Sequence, residues 1–260
     1  MEKRGAGQTY RRLNSPLWTA PAALFVFVAL WQGIVWLGNY PSFILPSPLE
    51  TARAFGRVLR DGVLWRHTLV TLSEVLSGLI LGVALATALG YSLAKNSYLE
   101  RLLAPYIVAS QSVPVVAIAP LLIIWFGAGH LSKVLICTLI VFFPMLVNTI
   151  VGIRSVDENL HELMRSLRAS RWQTFKILEV PAALPVLLGG LKVSVTLSVI
   201  GAVVGEFVGA NQGLGFLINQ ARGLFNTPLV FVAIFTLVFI ALTLYGLVSL
   251  LETRLLRWRG

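Results

Sequence analysis

Six apolar stretches, each about long enough to cross a lipid bilayer, leave this chain few places to fold except a membrane. A hydrocarbon core about 30 Å thick takes about 20 helical residues to span, and residues 17–38, 68–94, 102–127, 134–153, 182–210 and 229–251 meet that length. Only 12% of the residues are charged and 57% are hydrophobic, whereas a soluble domain carries about 25% charged residues. The formal charge of +10 does not point to nucleic acid, which needs Lys and Arg gathered on one water-accessible face. Here they flank the apolar runs, the pattern set by membrane topology and anionic headgroups. An all-α, polytopic membrane fold with about six transmembrane helices follows, with the lipid bilayer as its surroundings and no nucleic-acid partner.

Six crossings return the C-terminus to the side of the N-terminus. With both termini inside, the inner side holds Lys3, Arg4, Arg11, Arg12, Lys95, Arg101, Arg154, Arg165, Arg168, Arg171, Lys176, Arg254, Arg257 and Arg259. The outer side holds only Arg53, Arg57, Arg60, Arg66, Lys133 and Arg222, and cytoplasmic segments are the ones enriched in Lys and Arg. The first run follows four basic residues as a signal peptide would, yet it exceeds an h-region of roughly 7–15 residues and reads as a retained span. The expected organisation is a cytoplasmic tail at 1–16, one membrane domain at 17–254 and a cytoplasmic tail at 255–260. The lone cysteine, Cys137, reads as a small buried residue.

Three connections are long. Residues 39–67 open with Pro41, Pro46 and Pro48 and then place Leu49, Ala52, Phe55, Val58 and Leu59 at helical spacing, which predicts a helix on the outer surface. Residues 211–228 mix Gly213, Gly215 and Gly223 with amides, which predicts a re-entrant or partly buried segment. Residues 154–181 form the most polar internal stretch. It divides at Ala169-Ser170 into two helical pieces, with Ser170 as N-cap and Pro181 as terminator of the second. Trp172 and Phe175 among cations resemble aromatic anchors within a charged rim, the usual make-up of a docking site.

The segment 162–181 resembles the EAA motif of permease subunits of binding-protein-dependent ABC importers. Glu162 falls on the motif Glu, Leu163 and Met164 on its two Ala positions, Arg168 on its Gly, Leu178 on its Ile, Val180 on its Leu and Pro181 on its Pro. Further resemblance lies in Leu45-Pro46-Ser47-Pro48, in Trp125-Phe126-Gly127 and in the stretch from Gly205 through Glu206, Asn211 and Gly213 to Gly215. These are similar to the branch serving nitrate, bicarbonate, taurine, alkanesulfonates, thiamine precursors and riboflavin, and the 206–215 stretch is most similar to members handling vitamin-type heterocycles. The resemblance implies a type I importer-like permease fold in a bacterial inner membrane. It also implies a cytoplasmic ATP-binding subunit, an extracytoplasmic substrate-binding protein, a second copy of the chain, and no cofactor. Glu162, Arg165, Arg168, Ser170, Trp172, Phe175 and Pro181 would then couple to the ATPase. Arg168 departs from the motif, because Arg lacks the freedom of Gly at a tight turn. Either that turn needs no positive φ or the bend falls at Ala169-Ser170.

No phosphate-binding loop of the Walker type occurs, so energy must come from another polypeptide. No acid–base or nucleophilic constellation is legible, and His67, His130 and His161 lie apart. Polar groups at membrane depth suggest a pathway lined by Gln111, Ser112 and Asn148, with Pro114 and Pro120 kinking the third span. Ser194, Thr196 and Ser198 do not share one helical face. Glu74 and Lys192 read as structural, near span ends. Glu206 introduces a glycine-rich segment, and Glu206, Asn211, Gly213 and Gly215 are the expected outer gate. An ion-coupled secondary transporter is the rival reading. It would favour midplane acids and repeated halves, neither of which is visible.

Overall fold

The computed structural model describes residues 19–257, so the expected tail at 1–16 and the basic residues Lys3, Arg4, Arg11, Arg12 and Arg259 lie outside the described residues. Among the described residues all regular secondary structure is helical. In order the helices are α1 (Thr19–Gly38), α2 (Pro48–Arg60), α3 (Val63–Lys95), α4 (Ser97–Gln111), α5 (Val115–Phe126), α6 (His130–Arg154), α7 (Glu158–Ser166), α8 (Arg171–Thr174), α9 (Val180–Gly209), α10 (Leu214–Gly223) and α11 (Thr227–Leu255). A π-helical turn at Phe175–Glu179 joins α8 to α9. Five continuous helical stretches are long and apolar enough to cross a bilayer, and α4 with α5 makes a sixth only as a bent pair.

The centre is a three-helix layer in which α6 lies between α3 and α9. A Cβ added at Gly78 of α3 would meet Cys137 Cβ at 2.2 Å, and one at Gly90 would meet Thr149 Cβ at 2.7 Å. From the other side, a Cβ at Gly190 of α9 would come 2.7 Å from Asn148 Cβ, and one at Gly201 would come 2.9 Å from Cys137 Cα. Small residues let membrane helices approach until backbone touches backbone, which is how they associate without a hydrophobic driving force between them. Cys137 is buried within this contact. Outward-facing Leu, Ile and Phe side chains cover α1, α5 and α11.

Three sequence expectations change. The stretch 102–127 is two helices meeting at 91° rather than one kinked span. Pro114 lacks an amide donor and disfavours helix at Val113, so α4 ends at its Ser112 cap and Pro114 becomes the N-cap of α5, while Pro120 sits inside α5 without ending it. Pro181 does not terminate the second helical piece either. The amide of Val180 bonds to the carbonyl of Phe175, one residue further back than in an α-helix, and the wider turn lets the chain run on into α9 past Pro181. Lys133 is not in an outer loop. It belongs to α6 and is buried.

The connections at 39–67 and 211–228 each contain a helix. Helix α2 starts on a capping box between Ser47 and Glu50, and residues 214–223 form α10, buried at Leu214, Gly215, Leu217, Ile218 and Ala221. Helix α1 is fastened by Trp31, whose Nε1 donates to the Pro46 carbonyl at 3.0 Å and whose ring stacks on Phe231 with centroids 5.3 Å apart. Because the central contact tolerates no added methyl, Gly78→Val should push α3 off α6 and leave little folded protein. Gly33→Val, in open space on α1, should retain the wild-type yield, as measured by monodisperse protein recovered in detergent.

Candidate functional site

At one end of the bundle the segment 157–181 forms a helix, a turn and a second helix. Asp157 caps α7 by accepting from the Asn159 amide at 2.9 Å. Helix α7 closes in a Schellman-type turn: the Arg168 amide bonds to the Arg165 carbonyl at 2.9 Å and the Ala169 amide to the Met164 carbonyl at 2.9 Å. That turn needs a left-handed residue, and Arg168 supplies it with φ of 55°. So the turn does require a positive φ, it falls on Arg168 itself, and Arg occupies a conformation that suits Gly. Ser170 then caps α8 in a reciprocal box with Gln173, the Ser170 amide donating to Gln173 Oε1 at 2.7 Å.

The exposed face of this unit carries Glu162, Arg165, Arg168 and Trp172, the last 68% exposed. Trp172 stacks on Phe175 with ring centroids 5.4 Å apart, and Phe175 meets the ring of Tyr91 of α3 edge-on at 5.2 Å. A cavity of about 540 Å³ opens beneath, bounded by Thr87, Thr149, Ile153, Trp172 and Phe175 among others. Pro181 lies behind it, half-buried at the start of α9.

The opposite end holds a buried polar cluster. Glu206 of α9 is 1% exposed. Its carboxylate accepts from the Thr71 hydroxyl of α3 at 2.6 Å and from the Gly215 amide of α10. Thr71 in turn accepts from the Leu214 amide at 2.8 Å, and His67 Nδ1 from the Gly213 amide at 3.0 Å. Among the described residues, Glu206 is held by these hydroxyl and amide donors. It pins the turn between α9 and α10 onto α3. Glu74, 2% exposed, lies beside it with His130 Nδ1 at 3.8 Å from Oε1, while Lys133 Nζ donates to the Ala128 carbonyl. A Cβ at Gly213 would fall 2.2 Å from the Glu206 carboxyl carbon, and one at Gly215 would fall 2.8 Å from its Oε2. Gly213 also needs its φ of 111°, whereas at Gly205 and Gly209 the requirement is room, against Lys133 and Ile123. Asn211 is exposed at the tip of this turn.

Of the expected pathway residues, Gln111 and Ser112 sit together, exposed, at the corner between α4 and α5. Asn148 lies on α6, where its Nδ2 donates to the Pro144 carbonyl at 2.8 Å and its side chain lies against Gly190. Those are the contacts of a helix-packing residue. Ser194 and Ser198 are buried and Thr196 is exposed, as their spacing requires. Lys192 pairs with Glu252 of α11. Sequence reasoning missed Thr71, Tyr91, Lys95 and Glu179 as partners of the site. For Thr71 the usable signal was the four-residue spacing of Gly78, Gly82, Ala86 and Gly90, which marks the buried face of α3 that it shares.

The left-handed cost at Arg168, roughly 1–2 kcal/mol for a residue with a side chain, exceeds the roughly 0.5–1 kcal/mol that Gly loses in chain entropy. Arg168→Gly should therefore stabilise the protein by up to about 1 kcal/mol, read as a higher midpoint of thermal unfolding in detergent, and Arg168→Val should lower it.

Comparison with known proteins agrees with this geometry. The family described as binding-protein-dependent transport system inner membrane component matches residues 78–257. The riboflavin transport system permease protein RibX of Chloroflexus aurantiacus is 51% identical over 97% of this chain and 94% of its own length. The formylaminopyrimidine transport permease protein ThiX of Halalkalibacterium halodurans is 38% identical over 92% of this chain and 95% of its own. The fold is shared with the inward-facing methionine ABC transporter MetNI, at a TM-score of 0.61 and 17% identity over 74% of this chain and 94% of that chain. The chain belongs to the inner membrane components of binding-protein-dependent transport systems and is a multi-pass permease subunit of an ABC importer.

Proposed function

We propose that this chain carries riboflavin or a closely similar flat heterocycle into a bacterial cell, as one of two identical permease subunits with both termini in the cytoplasm. The observation that carries the substrate class is 51% identity, over nearly the full length of both chains, to a riboflavin transport permease. Energy comes from a separate ATPase docking on the segment 162–181. Its exposed Trp172 and flanking cations support that role, since aromatic anchors in a charged rim are what protein docking sites use. An extracytoplasmic binding protein presents the solute at the other end. There the turn between α9 and α10 forms the gate, with Glu206 anchoring the Gly215 amide, Gly213 supplying the positive-φ bend held by His67, and Asn211 at its tip. Gln111 and Ser112 line the pathway, because the break between α4 and α5 presents polar side chains between the apolar runs 102–109 and 115–126. Two copies close the pathway, cyclic pairing being the commonest closed symmetry.

Tagged protein, purified from its own cells with whatever co-isolates, is reconstituted into liposomes and supplied with labelled riboflavin outside and ATP inside. Riboflavin should accumulate only with ATP, survive collapse of the proton gradient, and yield to excess riboflavin but not to taurine or nitrate. Mass measurement of the same complex should give two copies of this chain. Accumulation driven by an ion gradient without ATP would restore the secondary-transporter reading, and competition by sulfonate or formylaminopyrimidine alone would move the substrate to those solutes.

A further inference from the structure

The docking segment lies over the bundle almost without burying anything. Helices α7 and α8 contain no buried residue. Among the described residues 157–182 one side chain is buried, and it is a charged one: Glu179, 3% exposed. Burying a carboxylate is costly unless it is paired and hydrogen-bonded, so an otherwise exposed segment gains nothing from placing one there by chance.

Both partners of Glu179 come from α3. The Tyr91 hydroxyl donates to its Oε2 at 3.0 Å, and Lys95 Nζ forms an ion pair with its Oε1. Tyr91 also receives the edge contact from Phe175, and so, through the stack, from Trp172. A cavity lies between Arg171, Trp172 and Phe175 on one side and Thr87, Thr149 and Ile153 of α3 and α6 on the other. Through its own backbone the segment leads back into α6 by way of Ser155 and Val156 and on into α9 across the π-helical turn, and neither connection reaches α3. Contact with α3 is concentrated on Glu179 and the aromatic edge. At the far end the same two helices are joined again by Thr71 and Glu206.

We propose that Glu179, with Tyr91 and Lys95, is a positioning clamp that ties the docking segment to α3, so that a displacement of the segment moves α3 and α9 as one body toward the turn at Glu206. The clamp rests on the reading above that the segment docks an ATPase. Without it, the segment would pull directly on α6 and α9, and α3 would follow only through its glycine contacts with α6.

The test compares the wild-type complex with Lys95→Glu, Glu179→Lys, the double exchange, and the milder Glu179→Gln and Tyr91→Phe, reading solute accumulated per ATP hydrolysed. Each charge reversal should lower that ratio by at least about fivefold while the ATPase remains bound and active, and the double exchange should recover most of it. In parallel, spin labels at Ser92→Cys and Lys176→Cys in the purified chain should give one narrow distance in the wild-type background and a broadened one with Glu179→Gln. An unchanged ratio in both reversals, or an unchanged label distance with Glu179→Gln, overturns the clamp. Absence of any co-isolating ATPase from the wild-type preparation overturns the docking role instead, and the label distances then decide the tie to α3 by themselves.

Discussion

The close approach of α6 to α3 on one side and α9 on the other is the contact on which the rest of the structure depends. In lipid there is no water to drive helices together, so association comes from dispersion between tightly apposed backbones and from hydrogen bonds between them. Gly78, Gly82 and Gly90 of α3 and Gly190, Gly201 and Gly205 of α9 all present backbone to side chains or backbone of α6. This contact sets the helices in one axial register. Thr71 and Glu206 then meet at one end, and Tyr91, Lys95 and Glu179 meet at the other.

Each end uses a buried carboxylate in the same way. Glu206 holds the turn that follows α9, and Glu179 holds the segment that precedes it, both against α3. An acid away from water must find donors, and here the donors lie on a neighbouring element, so satisfying the acid fastens that element. A polar contact of this kind is directional, and it adds to the register that the glycine contacts between the two ends already set. The arrangement makes α3 and α9 a braced pair joining the surface that bears Trp172 to the turn that bears Asn211. Elsewhere the bundle is held more lightly. Helix α1 is attached through Trp31, and α4 through the Arg154–Glu100 pair and the apolar contacts of Leu99, Leu103 and Ile107.

Much of this was legible in the chain. The apolar runs have the length a bilayer demands, Ser170 caps a helix because its hydroxyl reaches the amide three residues on, and the segment 162–181 carries its motif in order. The break at Val113-Pro114 was readable as a disturbance, but not as a corner of 91°. A missing amide donor shows where a helix is weakened, and the packing of its neighbours chooses the angle. At Arg168 the sequence left two geometries open, since residue type expresses a preference among backbone conformations, and the bonds from Arg168 and Ala169 back into α7 selected the left-handed one.

By itself, the sequence determined that this chain is a bundle of membrane helices with one long polar segment carrying a permease-like motif, because hydropathy, helix caps and the order of short motifs are local properties. Only the tertiary structure decided which charged residues act together. Glu206 and Thr71 lie far apart along the chain, as do Glu179 and Lys95, and a lone acid in an apolar run looks the same whether it snorkels to a headgroup or bonds to another helix. Its fate depends on which helix comes close enough to offer a donor, and that is settled by the backbone contacts of α3, α6 and α9, a property of three segments at once.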